Sequence, residues 1–71
     1  MELTKEEKLA IITDHYKRSI ANSYDIQINL IQEQALPTPN QDVIAALNNN
    51  LVIEEAKRKA LDDQITSLQN Q

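Results

Sequence analysis

The sequence predicts an all-α protein: an antiparallel helical hairpin, two long helices joined by a Pro-containing turn, that assembles into a helical bundle. Three observations carry this expectation. The 71 residues include no Gly, the commonest breaker, while strong helix formers dominate. Both prolines fall in one tetrapeptide near the middle, Leu36-Pro37-Thr38-Pro39. On either side of it, apolar residues recur three and four apart, the period of a helix face.

The first helix is expected over 5–35. Thr4-Lys5-Glu6-Glu7 reads as a capping box, in which the Thr4 hydroxyl accepts from the Glu7 amide and the Glu7 carboxylate reaches back. Its apolar stripe runs Leu9, Ile12, Tyr16, Ile20, Tyr24, Ile28, Ile31 and Ala35. These spacings average slightly above the 3.6 of a straight helix, so little supercoil, or a slightly right-handed one, is expected. Ile26 and Leu30 flank the stripe on one side, Ala10 and Ala21 on the other. At about 100° per residue the apolar arc spans about 200°, more than one facing helix covers.

The turn is expected at 36–38, because each Pro drives the residue before it out of the helical region. So short a linker forces the helices antiparallel. The second helix is expected over 39–68, with Thr38 as N-cap, Pro39 at the first helical position, Gln41 completing a second capping box and Asp42 favourable to the dipole. Asn48-Asn49-Asn50 has helix formers on both sides, so a bend is expected there in preference to a break. The final Gln69-Asn70-Gln71 is expected to fray.

Along the second helix, Ile44, Leu47, Leu51, Glu54, Arg58, Leu61, Ile65 and Leu68 alternate in threes and fours, a heptad seam with two charged members. Glu54 and Arg58, four apart, are expected to pair and to set the register of packing, the alternative being a seam open to solvent at that level. A smaller apolar face holds Val52, Ile53, Ala56 and Ala60, and the two alanines would admit a close neighbour. The residues expected to form the interface, within the hairpin or between copies, are Tyr16, Ile20, Tyr24, Ile26, Ile28, Leu30, Ile31, Leu47, Leu51, Ile53, Ala56, Ala60, Leu61 and Ile65. Tyr16 and Tyr24 are read as core fillers whose hydroxyls reach the rim, with an interface hot spot as the alternative.

Composition narrows the function. Seven Lys and Arg stand against eleven Asp and Glu, a formal net charge of −4, which disfavours general attraction to nucleic acid or anionic lipid. No apolar run approaches the roughly 20 residues of a membrane span. The acidic N-terminus lacks the form of a secretory signal, so the expected location is the cytoplasm, or the interior of a virion. There is no Cys, which removes disulfides, and a single His makes a structural metal improbable. A lone core of this size supplies about 3–5 kcal/mol, so a partner chain is the expected source of further stability.

Lys57-Arg58-Lys59 is the only basic run, and in a hairpin it would sit level with Lys17-Arg18. That belt could meet an anion, an acidic partner or nucleic acid. The preferred reading is a solvated ladder of four-residue pairs: Glu54-Arg58, Glu55-Lys59, Arg58-Asp62, Lys59-Asp63 and Asp14-Arg18. His15 lacks the spaced second ligand of a metal site and reads as a surface residue. Without Cys or Gly, and with Ser19, Ser23 and Ser67 outside any motif, neither a catalytic residue nor a cofactor site is expected.

The expected function is therefore non-catalytic: a self-associating structural or adaptor component acting through protein–protein contact. Docking on a larger protein, as a hetero-binding regulator or inhibitor of a host protein, is the alternative, and nucleic-acid association through Lys57, Arg58 and Lys59 a weaker one. With fourteen Asn and Gln and no Cys, the chain is similar in type to the small helical proteins frequent among phage products.

Overall fold

A computed structural model describes residues 2–71 as two helices packed against each other, α1 (Lys5–Gln34) and α2 (Gln41–Gln69), joined by residues 35–40. The protein is an all-α hairpin. Among the described residues there is no strand.

The start of α1 follows from its first four side chains. The Glu7 amide donates to Thr4 Oγ1 at 3.1 Å and the Thr4 amide donates to Glu7 Oε1 at 3.1 Å. Two otherwise orphaned donors are thereby satisfied. The helix closes at Gln34, where the Ala35 amide donates to the Ile31 carbonyl at 3.1 Å and the Leu36 amide to that of Glu33 at 3.2 Å.

The second helix starts later than expected, and its cap is Asn40 in place of Thr38. Asn40 Oδ1 accepts from the Asp42 amide at 3.0 Å and from the Val43 amide at 3.3 Å. One side chain thus serves two donors from an extended backbone, φ −85 and ψ 111. A box built on Asn40 would need Glu or Gln at position 43, which holds Val. Glu33 fills that role from the end of α1, its Oε1 accepting the Asn40 amide at 3.0 Å. A carboxylate disfavoured by the C-terminal end of its own helix thus sits at the favourable N-terminal end of the next. Asn48-Asn49-Asn50 lies inside α2 with no interruption.

Burial defines the seam between the helices. On α2 the half-buried residues are Ile44, Leu47, Leu51, Glu54, Arg58, Leu61, Ile65 and Leu68. On α1 the covered series is Lys5, Leu9, Ile12, Tyr16, Ser19, Ser23, Ile26, Leu30 and Glu33, a strict alternation of four and three. This corrects the expected stripe. After Tyr16 the seam passes through Ser19 and Ser23, while Ile20, Tyr24 and Ile31 stand exposed beside it. Ile26 and Leu30, expected on the flank, belong to the seam. Its mean spacing is that of a heptad, which favours a left-handed twist over the straight or slightly right-handed course expected.

No hydrophobic side chain among the described residues is buried; the two buried residues are Ser19, 4% exposed, and Ser23, 7% exposed. Each half-covered Leu or Ile therefore contributes only part of the roughly 1.5–3 kcal/mol that full burial gives. The shape agrees with this. The hairpin measures 55 × 19 × 14 Å with a radius of gyration of 16.4 Å, against about 11 Å for a compact chain of its length. Its accessible surface is 5423 Å², where a compact monomer of 8.1 kDa exposes about 4,500 Å².

Candidate functional site

The centre of the seam is polar. Arg58 Nη1 donates to Ser23 Oγ at 2.7 Å and lies 3.4 Å from the Ser19 carbonyl oxygen, which it also meets as a donor. Serine fits here for reasons of volume: a small side chain on α1 leaves room for a long one on α2, and the aliphatic stem of Arg58 covers what the missing Leu would have covered. The expected Glu54–Arg58 pairing is thus corrected, since the guanidinium turns across the seam to α1. A bond between helices fixes their relative position, which a pair within one helix does not. Ser19 Oγ, although buried, has no hydrogen-bond partner.

Counting outward from this layer sets Tyr16 level with Leu61, Ile12 with Ile65, Ile26 with Leu51 and Leu30 with Leu47. Both ends of the seam close on charge. At one end Glu33 holds the start of α2. At the other, Lys5 Nζ donates to the Gln71 carbonyl oxygen at 3.1 Å and to that of Gln69 at 3.4 Å. The last turn of α2 has no basic residue of its own, and the Lys5 ammonium supplies positive charge to that dipole end.

The expected charge ladder is present at two of its five rungs, Asp14–Arg18 at 3.3 Å and Lys59–Asp63 at 2.8 Å, both exposed. The Asp63 carboxylate raises the Lys59 ammonium above its ordinary value, through their hydrogen bond first and their opposite charge second. Hydrogen bonds with Thr4, that to its backbone amide the stronger, hold the Glu7 carboxyl below the usual range. The three residues of the basic run diverge. Lys57 lines a groove on one face of the hairpin, Arg58 enters the seam and Lys59 is tied to Asp63. They form no single cationic surface.

The expected interface residues separate into two groups. Tyr16, Ile26, Leu30, Leu47, Leu51, Leu61 and Ile65 lie on the seam, each half-buried. Ile20, Tyr24, Ile31, Ile53, Ala56 and Ala60 are exposed, and Ile28 is half-buried outside the seam. Tyr24, expected as a core filler, is 63% exposed because Ser23 takes the seam position beside it. One face of the hairpin carries shallow grooves, the first of about 440 Å³ with His15, Arg18, Asn22 and Lys57 along it. Ile53 lies farther along this face, beside Asn22 and Asp25. The opposite flank holds Ile20, Tyr24 and Gln27 around an opening of about 300 Å³ that reaches Arg58.

Among the described residues, no three His, Cys, Asp or Glu side chains converge to hold a metal ion, and no helix is long and apolar enough to cross a membrane. The arrangement offers surfaces for contact. Lys5, Ser19, Ser23, Glu33 and Asn40 are the structural residues that hydrophobic periodicity passes over. Extending the strict four-three series from Leu9, Ile12 and Tyr16 to Ile26 and Leu30 would have found the two serines. No family model matches the chain, and no curated protein or solved structure matches it significantly.

Proposed function

We propose that this protein acts by protein–protein contact, as a self-associating helical component of structural or adaptor type. The observation that supports this reading is the absence of a buried apolar side chain among the described residues, in a hairpin that still exposes Ile20, Tyr24, Ile31, Val52 and Ile53. A chain of this size with a half-covered seam has little stability in reserve, and burial against another chain is the remaining source once disulfides are excluded by composition.

The test is sedimentation velocity on the purified chain from about 1 to 500 µM, with helicity followed by circular dichroism across the same range. The expected result is a sedimentation coefficient that rises with concentration, accompanied by a rising midpoint of thermal unfolding. A fully helical, cooperatively melting monomer throughout that range would remove the basis of the proposal.

A further inference from the structure

We infer that the contact between copies is made by one stripe of α1, Ile20-Tyr24-Ile28-Ile31, packed antiparallel on the same stripe of a second copy, with α2 lying outside the contact. The inference rests on the self-association proposed above and specifies its surface. At about 100° per residue these four side chains fall within about 80° of one another, running from the flank of the seam at Ile20 round to the back of α1 at Ile28. Ile20, Tyr24 and Ile31 are 49%, 63% and 66% exposed, which makes Tyr24 and Ile31, with Val52 on α2, the most open of the large apolar residues.

Charge selects this stripe over the other surfaces. Between Lys17 and Ala35, α1 has three charged residues, and at about 100° per residue none of them falls on the stripe. Arg18 pairs with Asp14 and lines the groove shared with Lys57, Asp25 lines a groove with Ile53 and Lys57, and Glu33 holds the Asn40 amide. The stripe is therefore uncharged from Ile20 to Ala35, about 22 Å at 1.5 Å per residue. On α2, the positions equivalent to Ile20 and Gln27, four residues after a seam residue of the same class, are Glu55 and Asp62. Closing a four-helix bundle over this face would drive those two carboxylates into its core, at a desolvation cost of several kcal/mol for each. The opposite face sets Ile53 beside Ile26 but among Asn22, Asp25, Asn50, Glu54 and Lys57, three of them charged.

The stripe is also self-complementary. Its spacing of four, four and three places a two-fold axis between Tyr24 and Ile28, so that in an antiparallel contact Tyr24 meets Ile28 of the second copy and Ile20 comes within about one residue of its Ile31. An isologous contact of this kind closes at two copies and needs no second surface. A strip about 22 Å long and one helix wide offers on the order of 500 Å² per copy, below the about 800 Å² per partner of a standard interface. A contact of that size belongs with weak, reversible associations.

Two experiments on the full chain test this. In sedimentation equilibrium, Tyr24→Glu and Ile31→Glu should each weaken dimerisation by about 30-fold or more while helicity at high dilution stays unchanged, and Ile53→Glu should leave the association as it was. Because the chain has no Cys, introduced thiols report geometry without background. In the proposed arrangement Ile20 and its counterpart lie about 18 Å apart, and Ile31 and its counterpart about 15 Å, too far for a disulfide. Under mild oxidation, Ile20→Cys mixed with Ile31→Cys should therefore cross-link, and neither alone should do so. Association that survives Tyr24→Glu and Ile31→Glu, or that Ile53→Glu abolishes, would overturn the surface and leave self-association standing. An Ile20→Cys disulfide formed by that variant alone would overturn the antiparallel geometry. A parent chain that never associates would remove the proposed function itself.

Discussion

The bond from Arg58 to Ser23 makes a prediction whose sign differs at its two ends. Consider Ser23→Ala, Arg58→Leu and the double variant, each unfolded with urea at a concentration where the chain is monomeric. A hydrogen bond to a charged group contributes about 1.5–3 kcal/mol when fully enclosed; here the donor is half-buried, which reduces it to about 1–1.5 kcal/mol. Ser23→Ala loses that bond but gains about 0.5 kcal/mol of helix propensity, for a net loss of about 0.5–1 kcal/mol. It leaves a guanidinium in the seam with only the Ser19 carbonyl to meet. Arg58→Leu leaves a hydroxyl, which turns back to the carbonyl four residues earlier, while the new Leu covers apolar surface. That variant should be as stable as the parent or up to about 1 kcal/mol more so, as is common when a buried polar pair becomes apolar. In the Arg58→Leu background Ser23→Ala should then stabilise by about 0.5 kcal/mol, since only propensity remains, giving a coupling of about 1–1.5 kcal/mol from the cycle. A coupling below about 0.5 kcal/mol would refute the claim that this bond ties the helices together, and an Arg58→Leu variant weaker than Ser23→Ala would refute the claim that an apolar side chain fits this layer.

The turn and the helix ends give further tests. Asn40→Ala should cost about 1 kcal/mol, a fall of about 4–8 °C in Tm for a chain this size, whereas Thr38→Ala should change it little; equal effects would place the cap wrongly. Glu33→Ala should cost about 0.5–1 kcal/mol by freeing the Asn40 amide, and Glu33→Gln, which keeps an acceptor, should restore most of it in the same melts. The depressed Glu7 carboxyl sets an acid dependence. Its folded value lies below its unfolded one, so its contribution is present above about pH 4.3 and lost as pH falls through the folded value. The protection of the Thr4 amide, measured against its intrinsic exchange rate, should fall below that pH in the parent and change less in Glu7→Gln, and identical profiles would count against the capping box.

How much of this hairpin is legible in its residues depends on what each residue signals. The break at Pro37 and Pro39 and the start at Thr4 are written in backbone chemistry, since a missing N–H and a hydroxyl three residues before a carboxylate act locally. The α2 seam is legible because Leu and Ile occupy six of its eight positions, enough to carry the period across Glu54 and Arg58. The cap at Asn40 is hidden by competition. Thr38-Pro39 offers an equally good local signal, and Asn40 prevails with a side chain that reaches two amides and a carboxylate that arrives from α1.

The α1 seam shows the deeper difficulty. Hydrophobicity follows Ile20 and Tyr24, one position away from the serines that the fold covers, and a shift of one residue turns a helix by about 100°. What resolves it is the partner helix: a position opposite Arg58 has no room for Ile, and the side chain that fits is the one a hydropathy pattern discards. The same fact accounts for the surplus. Had Ile20 and Tyr24 occupied the seam, the hairpin would have sheltered two large apolar residues that it now exposes. Because the seam instead carries serine at its middle, those residues remain exposed on the flank, in the uncharged stretch of α1 on which the proposed contact between copies rests.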